Sequence, residues 1–174
     1  MIKHVRDFAR QPEVIRSKVN INDPIRDVFK VLGNQVTVHQ IQLELDLAPD
    51  MPYIIAEHNR LEQIFINLVT NAIDAMDEKT GLPENTDPEK RLKIASFVEN
   101  GMVVVTVADT GVGISEEVKN KIFEPFFTTK KSGKGTGLGI SISYGIVKDY
   151  DGTIEIESQV GKGATFKLKF PVLS

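Results

Sequence analysis

No cysteine occurs in the chain, so neither a disulfide framework nor a thiolate metal site contributes to its structure. Histidine is scarce, and His4, His39 and His58 are scattered without the close spacing of a zinc site. No apolar run approaches the ~20 residues that cross a bilayer, and no signal-peptide pattern is present, so a cytoplasmic setting is expected. A strong excess of one charge is also missing. The 21 basic and 24 acidic side chains leave a net charge of −3, which argues against nucleic acid as a partner. What is present is 174 residues, 41% hydrophobic and 26% charged, enough for one well-formed core.

The organising stretch is LEQIFINLVTNAIDAM, residues 61–76. At about 100° per residue, Leu61, Ile64, Phe65, Leu68, Val69, Ala72, Ala75 and Met76 form one broad apolar face that should lie on a sheet. Gln63, Asn67, Thr70, Asn71 and Asp74 form a narrow stripe opposite. A solvated stripe usually carries Lys and Glu; this one carries carboxamides and a carboxylate, groups that coordinate or hydrogen-bond.

The remaining elements follow in order. Residues 1–11 place Ile2, Val5, Phe8 and Ala9 on one face, as the last turns of a helix whose partner is missing would, and the chain reads as a piece of something longer. A boundary near residue 14 separates this helix end from the rest, 15–174. KVNIN, 18–22, reads as a short strand, and Asp23-Pro24 as an N-cap with proline in the first helical position, opening a helix to about Val38 with Ile25, Val28, Phe29 and Leu32 inward. Residues 40–47 and 53–56 read as strands. The charged, turn-rich stretch 77–90 reads as a solvated loop without function. Strands 91–98 and 102–108 flank the tight turn Glu99-Asn100-Gly101, and a short helix covers about 116–122. An amphipathic helix over 137–150 and a closing hairpin, 153–158 and 164–170, complete the chain.

Two glycine-bearing segments point to chemistry. In DTGVGI, Asp109 stands at the end of a buried strand, where a carboxylate can accept from an exocyclic amine such as that of adenine; taken alone the signal is weak, because D-x-G at a strand end is more often just a turn. In GKGTGLGI, Gly133, Gly135, Gly137 and Gly139 alternate directly before a helix. Successive backbone N–H groups and the helix N-terminus make such a segment an anion site suited to nucleotide phosphates, with Lys130, Lys131 and Lys134 adding charge. The P-loop, the kinase H-R-D and D-F-G pair, and the dinucleotide G-x-G-x-x-G are all absent, so a bound nucleotide is held by another plan.

The succession NxxxNAxDA, DTGVGI, FEPFFTTK, GTGLGI and GKGATFKLKFP, spanning about 18–172, resembles the ATP-binding catalytic domain of sensor histidine kinases within the GHKL superfamily, with wording closest to the nitrogen-regulation type. The resemblance implies a Bergerat fold: an α/β (α+β) two-layer sandwich, with a mixed sheet covered on one face by helices and a mobile ATP lid at about 127–136. It implies ATP and Mg2+ as cofactors. Asn71, with Asn67 beside it, would hold the metal against the phosphates, and Asp74 would face the nucleotide. Asp109 would read the adenine amine, with Gly111 and Gly113 letting the base approach and Ile114 beside them. Phe123, Phe126 and Phe127 resemble the lid box, although Phe123 is better explained as a core aromatic. Gly135, Thr136, Gly137, Leu138 and Gly139 would cradle phosphates, with Lys130 or Lys134 reaching them, and Thr165 would stand behind Asp109.

One position separates branches of the superfamily. Asn67 stands where the ATPase branch carries the glutamate that activates water, and a carboxamide cannot accept that proton. Glu62 falls on the far side of the helix. The resemblance therefore implies phosphoryl transfer to an external histidine, with the chain supplying positioning and charge neutralisation. No phosphoacceptor segment is present, and His4, His39 and His58 read as surface or packing residues. The implied partners are ATP/ADP, an upstream phosphoacceptor and dimerisation region that makes the full protein a homodimer, and a response regulator, with no membrane segment in this stretch. A serine kinase of the anti-sigma type and an ATPase clamp are the competing readings.

Overall fold

The computed structural model describes residues 16–85, 89–125, 127 and 139–173, so the helix end expected at 1–11 lies outside the described residues. The element order is β1 (Ser17–Val19), α1 (Asn22–Val38), β2 (Gln42–Leu47), β3 (Ile54–Ala56), α2 (His58–Thr80), β4 (Arg91–Glu99), β5 (Met102–Asp109), α3 (Glu116–Lys119), α4 (Gly139–Asp149), β6 (Thr153–Ser158) and β7 (Ala164–Pro171). Five strands form one sheet in the order β2-β4-β5-β7-β6, and β1 pairs with β3 in a separate two-stranded ladder. Only β2 and β4 run parallel; the other neighbours are antiparallel, so the sheet is mixed as expected.

The sheet has one apolar face. Leu92, Ile94, Val103, Val105, Val107, Phe166, Leu168 and Phe170 alternate out of β4, β5 and β7 into a core shared with α1, α2 and α4. Toward the other face the strands send Lys93, Lys167 and Lys169, which pair with Glu44 (3.9 Å), Glu99 (3.1 Å) and Glu155 (3.5 Å). Apart from the buried Val104, the described strand residues on that face are half-buried or exposed, and the described helices pack on the apolar side, a two-layer architecture. α2 lies centrally in the helix layer, packed between α1 and α4. The apolar face predicted for it is buried, except that Ala75 is half-buried, and Ile73, which the periodicity leaves outside that face, is buried as well.

Several boundaries differ from the sequence reading for identifiable reasons. α1 begins at Asn22, not after an Asp23 cap: the Asn20 side-chain oxygen accepts the Asn22 N–H at 3.0 Å, and the Asp23 N–H bonds to the Asn20 carbonyl. Pro24 remains tolerable because the N–H groups of a first turn have no helical partner. Residues 77–80 continue α2 and are not loop. Asp77 holds Lys90 Nζ (2.7 Å) and His39 Nδ1 (2.7 Å), and Lys90 also donates to the His39 carbonyl (3.1 Å). The charged residues bounding 77–90 thus tie the end of α1 and the end of α2 to the start of β4. The β4–β5 turn is as expected: Asn100 (φ 52°) and Gly101 (φ 72°) both take the left-handed conformation of a type I′ hairpin.

A buried polar junction locks α1 to the sheet. Ser96 Oγ donates to Asn22 Oδ1 (2.6 Å), Asn22 Nδ2 donates to the Ala48 carbonyl (2.9 Å), and the Ala48 N–H donates to Ser96 Oγ (3.2 Å). Asn22→Ala removes the partner of the buried Ser96 hydroxyl and of the half-buried Ala48 carbonyl. Chemical denaturation should show a loss of about 2–3 kcal/mol.

Candidate nucleotide site

The α2 stripe is not uniform. Asn67, Thr70 and Asn71 are half-buried, whereas Gln63 and Asp74 are exposed. The Thr70 hydroxyl is spent within the helix on the Ile66 (2.8 Å) and Asn67 (3.1 Å) carbonyls. Asn67 reaches across to α4: its amide nitrogen donates to the Gly139 carbonyl (3.0 Å) and to Ser143 Oγ (3.2 Å), while Ser143 donates to the same carbonyl (2.9 Å). Ser143 is fully buried. Sequence reasoning missed it, although its placement one turn after Gly139 on the face toward α2 was the available signal. With its nitrogen committed, Asn67 retains its amide oxygen as an acceptor.

On the other flank, Asp109 ends β5 opposite Leu92 and Ala164. Its Oδ1 accepts the Gly111 N–H at 2.8 Å. Burial pushes the carboxyl up to about 6; the N–H groups of Gly111 and Ala164 and the charge of Lys79 pull the other way without compensating. A half-desolvated carboxylate with remaining acceptor capacity gains most from a donor that arrives with a ligand.

The loop after Asp109 is fastened on two sides. The Val112 N–H bonds to the Ala75 carbonyl (3.1 Å), one turn beyond Asn71, and the Gly161 N–H bonds to the Val112 carbonyl (2.7 Å). The Ile114 N–H bonds to Ser158 Oγ (2.7 Å), which donates to the Gly163 carbonyl (2.8 Å). The sequence reading gave Gly111 and Gly113 the task of clearing space for a base, but the protein itself takes that space. A Cβ at Gly111 would stand 2.6 Å from Ala75 Cβ, and one at Gly113 (φ +76°) would strike the Gln159 carbonyl. These glycines seat the loop against α2 and the β6–β7 turn, and so aim Asp109.

Thr165 is a further correction. It pairs with Ala108, while Ala164 pairs with Asp109, so by alternation Thr165 faces the solvated side of the sheet. The group behind Asp109 is the Ala164 N–H. Ile114 is half-buried against the core, and Phe127 is half-buried with its N–H on the Glu124 carbonyl (3.2 Å). Phe123 stacks with Tyr144 at 4.8 Å between ring centroids, the packing role expected of it. Phe126, Lys130, Lys131, Lys134, Gly135, Thr136, Gly137 and Leu138, and the lid expected at about 127–136 apart from Phe127, lie outside the described residues.

The structure thus ties Asn67 to the first turn of α4, and the loop after Asp109 to the Ala75 carbonyl one turn beyond Asn71. The carboxamide oxygen donors on α2 are hard and neutral, a set that suits Mg2+ when phosphate oxygens supply the negative charge. Among the described residues no helix is long and apolar enough to cross a membrane.

Comparison with known proteins shows the family and the fold. Residues 56–174 match the family described as histidine kinase-, DNA gyrase B-, and HSP90-like ATPase. The sensor kinase CckA of Brucella abortus is 38% identical over 99% of this chain and 19% of its own length. Sporulation kinase E of Bacillus subtilis is 33% identical over 95% of this chain and 21% of its own length. The chain therefore spans about a fifth of these relatives. A solved catalytic domain of the histidine kinase ThkA, 33% identical, superposes with a TM-score of 0.75 over 91% of this chain and 96% of that one. ThkA crystallised with the response regulator protein TrrA superposes at 0.74, with 29% identity over 99% of this chain and 46% of that one.

Proposed function

This chain belongs to the histidine kinase-, DNA gyrase B-, and HSP90-like ATPase family, and we propose that it serves as the ATP-binding catalytic part of a two-component sensor kinase. It binds Mg-ATP and passes the γ-phosphoryl group to a histidine on an upstream dimerisation region, from which a response regulator is phosphorylated. The observation that carries this reading is Asp109: a half-buried carboxylate, held by the Gly111 N–H, at the edge of a family-matched fold whose central helix presents carboxamides at 67 and 71.

Each residue then has a physical task. Asp109 accepts the adenine N6 amine, and the Gly111 and Ala164 N–H groups hold its carboxylate in place. Asn71 and the amide oxygen of Asn67 hold the metal against the phosphates, and the Asn67 nitrogen keeps the α4 N-terminus in register with them. The metal, when bound, neutralises charge on the phosphate oxygens. Asp74, Ile114, Phe127 and Gly139 border the same region. On the same reading Lys130, Lys134, Gly135, Thr136, Gly137 and Leu138, which lie outside the described residues, contact the phosphates. With Asn67 in place of a water-activating base, hydrolysis is slow and the phosphoryl group waits for the imidazole nitrogen.

The test is incubation with γ-labelled ATP and a separately made upstream hairpin bearing the histidine. Acid-labile, base-stable label on the hairpin is expected. Acid-stable label identifies a serine acceptor instead, and rapid phosphate release identifies an ATPase.

A further inference from the structure

The three histidines carry no zinc-like spacing along the chain, yet the fold sets one of them between carboxylates from two helices. His58 Nε2 lies 2.9 Å from Asp27 Oδ2 on α1 and 2.7 Å from Glu62 Oε1 one turn along α2. All three ligand atoms lie within 4.8 Å of one another. A single imidazole nitrogen holds one proton, which the two carboxylates can only share in a bifurcated bond. A cation in its place accepts a lone pair from each atom. Bonds of ~2.0–2.1 Å in a tetrahedral shell set ligand atoms about 3.3 Å apart, a separation the two His58 contacts reach by lengthening about half an ångström.

We propose that Asp27, His58 and Glu62 form a site for a divalent transition cation of the zinc type that braces α1 against α2. The surroundings favour it. The Lys30 ammonium binds the other oxygen of Asp27 at 2.9 Å, turning Oδ2 toward His58. The three side chains are each about a third exposed, which leaves the fourth coordination position open to water. One nitrogen and two carboxylate oxygens suit zinc better than the oxygen-only shell of magnesium. His58 stands about 180° around α2 from Asn67, so the site is separate from the nucleotide region.

The test uses the chelator-treated chain without nucleotide or magnesium. Titration with Zn2+, and with Co2+ for its visible absorption, should show one equivalent bound, with tetrahedral cobalt bands and a rise in Tm. His58→Gln and Glu62→Gln should each weaken Zn2+ binding about tenfold or more and abolish the bands, while His39→Gln, at the separate Asp77 pair, should leave both intact. Circular dichroism confirms that the variants fold. Equal zinc binding by His58→Gln and the parent chain, or no binding by the parent at ~100 µM Zn2+, overturns the proposal.

Discussion

Asp109→Asn should lose nucleotide and gain stability at once. The amine of adenine would face an amide in place of a carboxylate, and loss of that charge-assisted bond is expected to cost about 3 kcal/mol, roughly 100-fold in affinity. The stability effect has the opposite sign. The folded carboxyl titrates at about 6, above its ordinary 3.8. A raised acid contributes stability that is complete below the unfolded value and is lost as the pH climbs through the folded one. At pH 7.5 the fold therefore carries the cost of burying that charge, about 3 kcal/mol at 1.36 kcal/mol per unit. Asn removes the charge and keeps one acceptor for the Gly111 N–H, so a net gain of about 1–2 kcal/mol, or ~3–6 °C in Tm, is expected without ligand. In the parent chain, affinity should fall about tenfold per pH unit below 6, as protonation removes the charge that strengthens the bond; in the variant that dependence should vanish. Calorimetric titration and thermal melts between pH 5 and 8 read both effects.

Gly163→Ala should be the most destabilising single methyl that can be added near the site. Gly163 has φ +89°, and its added Cβ would collide with the Asp109 carbonyl, so the turn and the end of β5 cannot both keep their places. The left-handed penalty alone is about 1–2 kcal/mol, and the backbone clash should raise the total to about 3–5 kcal/mol. Gly161 supplies the internal comparison. Its φ is similar, +84°, but nothing lies within 4 Å of the position its Cβ would take, so Gly161→Ala should cost only about 1 kcal/mol. Urea unfolding of the two variants separates strain from collision. Equal losses would mean that the close approach of the hairpin to Asp109 contributes nothing.

Much of this arrangement is readable from the sequence because it depends on short-range period. α2 and its stripe follow from a 3.6-residue repeat, and the β4–β5 hairpin from Asn100-Gly101 between alternating strands. What the sequence hides depends on long-range pairing. The face of Thr165 is decided by whether Asp109 meets residue 164 or 165 across the ladder, and a shift of one residue reverses it. Residues 77–80 look like a loop by charge, yet Asp77 is held by Lys90 and His39, neither of them its neighbour in sequence. Ser143 is buried by the same kind of distant contact, with Asn67. Gly111 and Gly113 are visible as special positions, but only the packed structure shows that Ala75 and Gln159 are what they accommodate.

The 13C shift of the Asp109 carboxyl, followed from pH 4 to 8 with and without Mg-ATP, addresses the purine-reading role of this residue most directly. A midpoint near 6 in the free chain, moved to lower pH by the nucleotide, is the expected result. A midpoint unaltered by saturating nucleotide would mean that Asp109 does not touch the base, and the assignment of the site would fail with it.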